Sequence, residues 1–263
     1  MRYAEELNSK GKEFSMIFKS PPEKTNPEGD ERTVGYEFEF TGLEIADAAE
    51  LIQELYGGNL RKESAYEFIV TDTTFGTFRL ELDAQLLREK KYEALLKKVG
   101  IDLDTFKEKD SIEDSLMELA SSVVPFEIIT PPVPLSDMHR LNAITESLRD
   151  RKAEGTGSSF INAFGLHINP EVSDNRPESI LNHLRAYVML DPWIRKDAKI
   201  DVSRRITPFI NPYKEEYILH ILDEEYRPDL KKLIRDYFAF ENSRNRALDM
   251  LPLFMHLNEG LTG

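Results

Sequence analysis

The sequence predicts an α+β fold: an antiparallel β-sheet of about five to six strands, helices packed on one side of it, and a helical C-terminal part. Two observations support this prediction. Short segments alternate apolar and polar residues, which is typical of strands that bury one face, and segments with the apolar spacing of amphipathic helices lie between them. Because the strand segments alternate and are not continuously apolar, an antiparallel sheet with one polar face fits better than a buried parallel sheet.

The predicted elements follow in a mixed order along the chain. Alternation predicts strands at Val34–Phe40, Tyr66–Val70, Thr77–Asp83, Val123–Thr130 and Phe164–Asn169. Helical spacing predicts helices at Glu44–Tyr56, Ser111–Ser121, Ser136–Arg151 and Pro177–Leu190. After about residue 191 the chain is predicted to be mostly helical, at Lys214–Leu222, Pro228–Phe240 and Arg244–Leu257. Pro177 suits a first helical turn, where a missing N–H costs nothing, and Ser111 suits an N-cap.

The composition excludes several classes of protein. The 263 residues carry 48 Asp and Glu against 34 Lys and Arg, a net charge of −14, so a nucleic-acid partner is not expected. Without cysteine the chain has no disulfide, thiolate metal site or cysteine nucleophile. No apolar run approaches the roughly 20 residues that span a bilayer, and the opening residues MRYAEELNSKGKEF lack the uninterrupted apolar stretch of a signal peptide. We therefore expect a cytoplasmic protein that does not enter a membrane.

Composition also suggests how the chain is organised. Residues 1–32 are rich in proline, glycine and charge, which predicts a mobile N-terminal arm. No internal repeat follows, and residues 33–263 are predicted to form a single domain.

Strand parity predicts a strongly acidic surface. Side chains two residues apart on a strand point to the same face. If the predicted strands pair, one face of the sheet carries Glu37, Glu39, Glu81, Asp83, Glu127, His167 and Asn169. Such a face has an ordinary explanation, because antiparallel strands often turn charged residues to water.

Two details favour a binding site. Five of these seven side chains are carboxylates, and like charges facing each other across strands destabilise a sheet unless cations neutralise them. Mg²⁺ and Mn²⁺ accept carboxylate and imidazole ligands and keep waters for substrate phosphates. In addition, glycine precedes Glu37 and His167 by two positions, which leaves room over the sheet for a ligand. The sharper hypothesis is a metal–nucleotide site on the sheet.

Several sequence blocks resemble a known family. They are VGYEFEF, the strand that ends in ELDA, PFEIITPP, AFGLHINP, DPWIRKDAKIDVSRRITPFINPY and NSRNRALDMLPLF. Together they resemble the amidoligases, which are ATP-dependent carboxylate–amine ligases with the fold of glutamine synthetase and γ-glutamyl-cysteine ligase. The resemblance extends from Val34 to Leu257, and the order of the blocks makes it fairly specific.

The resemblance implies both a reaction and its cofactors. Enzymes of this type use ATP and Mg²⁺ or Mn²⁺ to phosphorylate a carboxylate, and an amine then attacks the acyl phosphate to give an amide or isopeptide bond. The implied substrates are a carboxylate and an amine of small molecules or peptides. A homo-oligomer is compatible with the family, although no segment marks an interface. Families with this fold usually close the sheet with a further strand, which is expected to be missing from the sequence as given, because it stops at Gly263. Either the sequence is a truncated form or the strand is dispensable.

The resemblance also implies roles for individual residues. The metal ligands are Glu37, Glu39, Glu81, Glu127 and His167. The catalytic residues are Glu39, Glu127, Arg204 and Arg205. Contacts to the nucleotide are expected from His167, Asn169 and Arg205. For the arginine pair, ordinary salt bridging in an acidic chain is an equally good explanation.

Two other functions stay open at this point. One is a phosphotransferase of the guanidino-kinase type on the same fold, in which a guanidinium group accepts the phosphoryl group. The other is a non-catalytic acidic binding protein that keeps the fold.

The remaining conspicuous residues have structural explanations. Asp72 is expected to begin a turn, Trp193 to lie in the core, and Arg244 and Arg246 to cap the last helix. The segment GTGSS at residues 155–159 lacks the spacing of a phosphate-binding loop, so it is expected to be a plain loop. Structural or surface roles are also expected for His139, His183, His220 and His256.

Overall fold

A computed structural model describes residues 19–40, 42–82, 125–154, 165–197, 211–240 and 246–259. The chain divides into two compact units, Met1–Ser173 and Asp174–Gly263. Within the described residues the fold is α+β with an antiparallel sheet, as predicted. None of the described helices is both long and apolar enough to cross a membrane. That residues 33–263 act as one catalytic domain stays a prediction, because a compact unit is defined by its contacts and not by its activity.

Among the residues that the structure describes, the first unit contains a seven-stranded sheet. Its strands are β1 (Thr33–Phe40), β2 (Asn59–Lys62), β3 (Glu67–Thr73), β4 (Gly76–Leu82), β5 (Phe126–Ile129), β6 (Val133–Pro134) and β7 (Gly165–Pro170). The described helices of this unit are α1 (Ile45–Tyr56), a 3₁₀ helix at Met138–Leu141, and α2 (Asn142–Glu154). All five predicted strands are present, and the short strands β2 and β6 add to them. The predicted helix at 111–121 lies outside the described residues.

Strand β1 lies inside the sheet, although it comes first in the chain. Strands β2, β3, β4, β5 and β1 follow one another across the sheet, and every ladder is antiparallel. Val34 pairs with Val133 of β6 and with Pro170 of β7, so β6 and β7 flank β1 on opposite sides. The β1 side chains therefore have cross-strand neighbours in both directions.

The core of the first unit lies on the apolar face of the sheet. Burial alternates along β1, where Val34, Tyr36, Phe38 and Phe40 are buried. Helix α1 buries Ile45, Ala48, Ala49, Ile52 and Tyr56, a spacing that forms one helical face. The ring of Tyr56 stacks on Phe78 of β4 at 5.2 Å. Each large side chain buried in this way stabilises the fold by roughly 1.5–3 kcal/mol. Because a shift of one residue would expose these side chains, their burial also fixes the strand register and so the residues on the polar face.

One strand departs from the expected burial. On the other long strands the apolar face lies in the core, but Leu166 and Ile168 on the apolar face of β7 are 49% and 53% exposed. They do share a face, as the parity rule requires. Parity shows which residues point the same way, and it cannot show whether another element covers them.

The described part of the predicted N-terminal arm is held against this unit. Arg32 is buried, and its guanidinium donates to the backbone oxygens of Glu171 and Glu23. Glu31 accepts a hydrogen bond from the Ser136 backbone N–H at 2.8 Å. Several residues between 23 and 32 thus have hydrogen-bond partners in the first unit, and the mobility of the arm at residues 1–32 stays a prediction.

The second unit is helical in its described residues. It contains α3 (Pro177–Asp197), α4 (Glu215–Leu222), α5 (Leu230–Phe240) and α6 (Leu251–Glu259). Pro177 opens α3 as predicted, but the helix continues past Pro192 to Asp197. The last helix begins at Leu251, later than expected. The core of the unit is rich in aromatic side chains, among them Tyr213, Tyr217, Tyr237 and Phe254, whereas Trp193, expected in the core, is 47% exposed.

Candidate functional site on the polar face of the sheet

The polar face carries a row of four carboxylates. Cross-strand partners are Glu67 and Glu81 on β3 and β4, Glu81 and Glu127 on β4 and β5, and Glu127 and Glu39 on β5 and β1. Neighbouring strands lie about 4.8 Å apart, so the four residues follow one another directly across the sheet. We call this set, Glu67, Glu81, Glu127 and Glu39, the carboxylate row.

Glu67 is a member that the sequence reasoning did not identify. The same parity argument would have found it, because Phe68 and Val70 are the buried positions of β3 and Glu67 is half-buried on the other face. The alternation in the predicted strand at residues 66–70, extended to the whole strand, places Glu67 on the polar face.

A second row lies one pleat away and mixes apolar and charged residues. From β3 to β7, its successive cross-strand neighbours are Ile69, Arg79, Ile129, Glu37 and His167. The Arg79 guanidinium lies 4.0 Å from the Glu67 carboxylate and 3.7 Å from that of Glu81. Because Arg79 is half exposed, these ion pairs are weak in energy. They still reduce the negative potential at the β3–β4 end of the carboxylate row.

Glu37 is held by two side chains of the neighbouring strand. His167 Nδ1 donates to Glu37 Oε2 at 2.8 Å, and Asn169 Nδ2 donates to Glu37 Oε1 at 2.8 Å. Both donors lie on β7, two residues apart, and this spacing places them on one face. The hydrogen bond to Glu37 raises the pKa of His167; burial lowers it, and the charges of Glu37, Glu39 and Glu127 raise it further, for a net upward shift.

Glu39 is the most enclosed of the carboxylates in contact with β7. Its side chain is 18% exposed, and its Oε1 lies 4.0 Å from Nε2 of His167. Gly165 is its cross-strand partner. A Cβ atom at Gly165 would lie 2.7 Å from Glu39 Oε2. The room that glycine leaves on β7 is therefore occupied by the protein's own carboxylate and not, as expected, kept for a ligand.

Gly35 differs from Gly165 in this respect. A Cβ atom at Gly35 would meet only the Asn169 Cβ, at 4.0 Å. The expectation of open space over the sheet thus fits Gly35, whereas at Gly165 it is wrong.

The donors on this face suit a hard divalent cation. Carboxylate oxygens and an imidazole are the ligands that Mg²⁺ and Mn²⁺ accept. Among the described residues, no three His, Asp or Glu side chains converge closely enough to enclose one metal ion by themselves. Mg²⁺ commonly takes only one or two carboxylates from a protein and completes its shell with waters and phosphates, so the donor set fits an ion that takes its other ligands from outside the protein.

The structure brings together most of the predicted site residues. One face carries Glu37, Glu39, Glu81, Glu127, His167 and Asn169. Arg204, Arg205 and Asp83 lie outside the described residues. Asp72 lies beside the β3–β4 turn with φ 58° and accepts a hydrogen bond from Asn59, so its structural explanation fits.

Other predicted roles concern the second unit. His220 packs against Tyr226 at 4.2 Å and approaches Asp236 at 3.2 Å, which suits a structural residue. Arg246 lies 5.8 Å from the ring of Tyr213. Arg244, predicted to cap the last helix, lies outside the described residues.

Comparison with known proteins gives a match to one family model. Neither the search of curated proteins nor the search of solved structures finds a match. A family model described as "Putative amidoligase enzyme" matches residues 30–260, which include every described strand of the sheet. The match covers most of the chain and contains the whole carboxylate row, and on this ground the chain belongs to the amidoligase family.

Proposed function

We propose that this protein is an ATP- and Mg²⁺-dependent carboxylate–amine ligase that forms an amide or isopeptide bond through an acyl phosphate. The observation that supports the proposal most directly is the carboxylate row, which crosses four neighbouring strands on one face of a family member. So dense a negative surface favours cations, and a cation held there would in turn attract the phosphates of a nucleotide.

The residues proposed to hold the metal are Glu37, Glu39, Glu81, Glu127 and His167. Bound Mg²⁺ would neutralise phosphate charge and so ease phosphoryl transfer. The chain's own contribution is orientation. Because His167 and Asn169 each donate to one oxygen of Glu37, that carboxylate has a fixed direction on the face.

The remaining groups are proposed to bind and position the reactants. Asn169 and His167 would contact the nucleotide, while Arg204 and Arg205 would hold the transferring phosphoryl group with their forked donors. In the first step the substrate carboxylate takes the terminal phosphoryl group and ADP leaves. In the second the amine attacks the acyl carbon, inorganic phosphate leaves and the amine loses a proton. Glu39 and Glu127 act by positioning charge, which supplies most of the catalysis in phosphoryl transfer.

The first test measures binding of nucleotide with metal. Isothermal titration calorimetry with Mn²⁺ and a non-hydrolysable ATP analogue should show binding to the wild type. Glu39→Gln should weaken it about tenfold or more, the loss expected when a charged metal contact is removed. The control is Glu50→Gln, the same change at an exposed position of α1, and it should bind like the wild type. Equal affinity in all three proteins would remove the metal assignment.

The second test separates the proposed reaction from its alternatives. ADP and phosphate should accumulate only when a carboxylate and an amine are both present, and Glu39→Gln should stop this. A stable phosphorylated guanidinium product without free phosphate would indicate a phosphotransferase. Absence of nucleotide binding in the wild type would indicate a non-catalytic binding protein.

A further inference from the structure

We propose that Gly165 is a positioning residue, which seats the Glu39 carboxylate over strand β7 by having no side chain of its own. This inference rests on the proposed function, in which Glu39 binds a metal ion, because Gly165 would affect cation binding only through Glu39. It adds a residue to the site that the charge pattern does not contain.

The contact geometry supports this role. Glu39 and Gly165 are directly opposite in the β1–β7 ladder. A Cβ atom added at Gly165 would lie 2.7 Å from Glu39 Oε2, 2.9 Å from its Cδ and 3.1 Å from its Oε1. All three distances involve the carboxylate end of one side chain. Any larger residue at 165 must therefore displace the charged group of Glu39, while the Glu39 backbone can stay where it is.

The position of the carboxylate has chemical consequences. Seated over Gly165, Glu39 Oε1 lies 4.0 Å from His167 Nε2, the imidazole nitrogen that does not bind Glu37. The Glu39 side chain is mostly enclosed. A carboxylate with a fixed place beside an imidazole can take part in an ion site without first losing much conformational freedom. Moving it away from β7 would loosen this arrangement.

Glycine at this position has a cost that the role would explain. Gly165 is the first residue of β7 and pairs with Glu39 in the ladder. Glycine there packs no side chain and loses more backbone entropy on folding than any other residue. The nearby Gly35 provides a comparison on the same face, since an added Cβ there meets its nearest atom at 4.0 Å. The space beside Gly165 is thus occupied by the Glu39 carboxylate, whereas no acidic side chain occupies the space beside Gly35.

The test compares Gly165→Ala with Gly35→Ala. Mn²⁺ binding to the full chain without nucleotide is measured by electron paramagnetic resonance, and thermal unfolding is recorded for each variant. We expect Gly165→Ala to bind Mn²⁺ about tenfold more weakly, as is typical when a residue that orients a metal ligand is changed. Gly35→Ala should bind Mn²⁺ within about twofold of the wild type, because its methyl group has room and oxygen ligands stay in place. Equal Mn²⁺ affinity in the two alanine variants would overturn the proposal.

A double-mutant cycle distinguishes positioning from a general loss of structure. In the Glu39→Gln background, Gly165→Ala should cause no further loss of Mn²⁺ affinity, because the two changes act through one group. If the losses add, Gly165 does not act through Glu39 and the proposal is wrong. If Glu39→Gln itself leaves Mn²⁺ binding unchanged, the metal site of the proposed function is wrong. This outcome differs from additive losses, which contradict only the role of Gly165.

Discussion

His167 Nδ1 lies 2.8 Å from Glu37 Oε2, across the pair of strands β1 and β7. The imidazole therefore sits among carboxylates, with Glu39 at 4.0 Å from its other nitrogen. Without a metal ion, a protonated His167 acts as an internal cation of the acidic face, and it must lose that proton to serve as the proposed metal ligand. The site thus contains a group whose charge changes near neutral pH.

The first prediction concerns this charge. The pKa of His167 should lie above its ordinary value of 6.5, mainly because its hydrogen bond to Glu37 favours the protonated form. Two-dimensional NMR of the imidazole should show this, and Glu37→Gln should lower the pKa. An unchanged pKa in Glu37→Gln would contradict the assignment of the main cause.

The sign of the stability effect follows from the same shift. A group with a raised folded-state pKa stabilises the fold fully below its unfolded-state pKa and loses the effect as pH rises through the folded-state value. Near pH 6 the free energy of unfolding, measured by urea denaturation, should therefore be larger for the wild type than for His167→Gln. This difference should disappear near pH 9. Because the imidazole is exposed and screened by water, the difference should stay below about 1 kcal/mol. A growing difference at high pH would contradict this prediction.

The second prediction concerns the two faces of β5. Ile128 is fully buried and Ile129, the next residue, is half-buried on the polar face. Ile128→Ala should cost about 2–5 kcal/mol of unfolding free energy through cavity formation. Ile129→Ala should cost about 1 kcal/mol, because less apolar area is removed from contact. Chemical denaturation measures the unfolding free energy that each variant loses. Equal losses in the two variants would show that both faces of β5 are covered.

The third prediction concerns the entry into β1. Arg32 is buried, and its Nε and Nη1 each donate to a backbone oxygen at 2.7 Å. Lysine has no forked donors, so Arg32→Lys should destabilise the first unit by about 2 kcal/mol. The exposed Arg61 provides a matched control, and Arg61→Lys should cost less than about 0.5 kcal/mol. Both values come from denaturation curves.

The fourth prediction concerns Asp236 in the second unit. Burial alone would raise the pKa of Asp236, but hydrogen bonds from Lys232, Tyr226 and His220 together hold it below its ordinary value of 3.8. The stability that it contributes is therefore present above pH 3.8 and lost as pH falls through the lower, folded-state pKa.

The test of this fourth prediction is substitution by asparagine. Asp236→Asn should lose about 2 kcal/mol at pH 7, and it should unfold less steeply with acid than the wild type does. Glu224→Gln, at an exposed position before α5, should change neither property. A wild-type acid profile in Asp236→Asn would show that other carboxyl groups control acid unfolding.

The polar face was predictable because the strands alternate cleanly. Phe38 and Ile128 mark the buried positions of β1 and β5, so the opposite positions, Glu37 and Glu127, had to share the other face. Antiparallel pairing then placed the carboxylates side by side. The helix α1 was predictable for the same reason, since its apolar positions recur with helical spacing.

Other features carried too little local signal. Strand β2 is almost entirely polar, and β6 consists of Val133 and Pro134 alone, so neither shows alternation. The late start of α6 could have been anticipated from Pro252, because proline favours the first helical turn. The exposure of Trp193 depends on tertiary packing, which local periodicity does not record.

The contact between Glu39 and Gly165 shows a different limit of sequence reasoning. Parity predicts that both residues point to one face, and register places them opposite each other. Neither rule tells which way a flexible glutamate leans. The two interpretations of a strand glycine, space for a ligand or space for a neighbour, are separated only by side-chain coordinates.

The central place of β1 also affects how the protein is made. During synthesis, the strand that carries Glu37 leaves the ribosome long before its partner His167, which follows 130 residues later. Pairings so distant in sequence form slowly, and until then the edges of β1 are open to other unfinished chains. We therefore expect good yields of native protein to depend on slow translation, low temperature or chaperones.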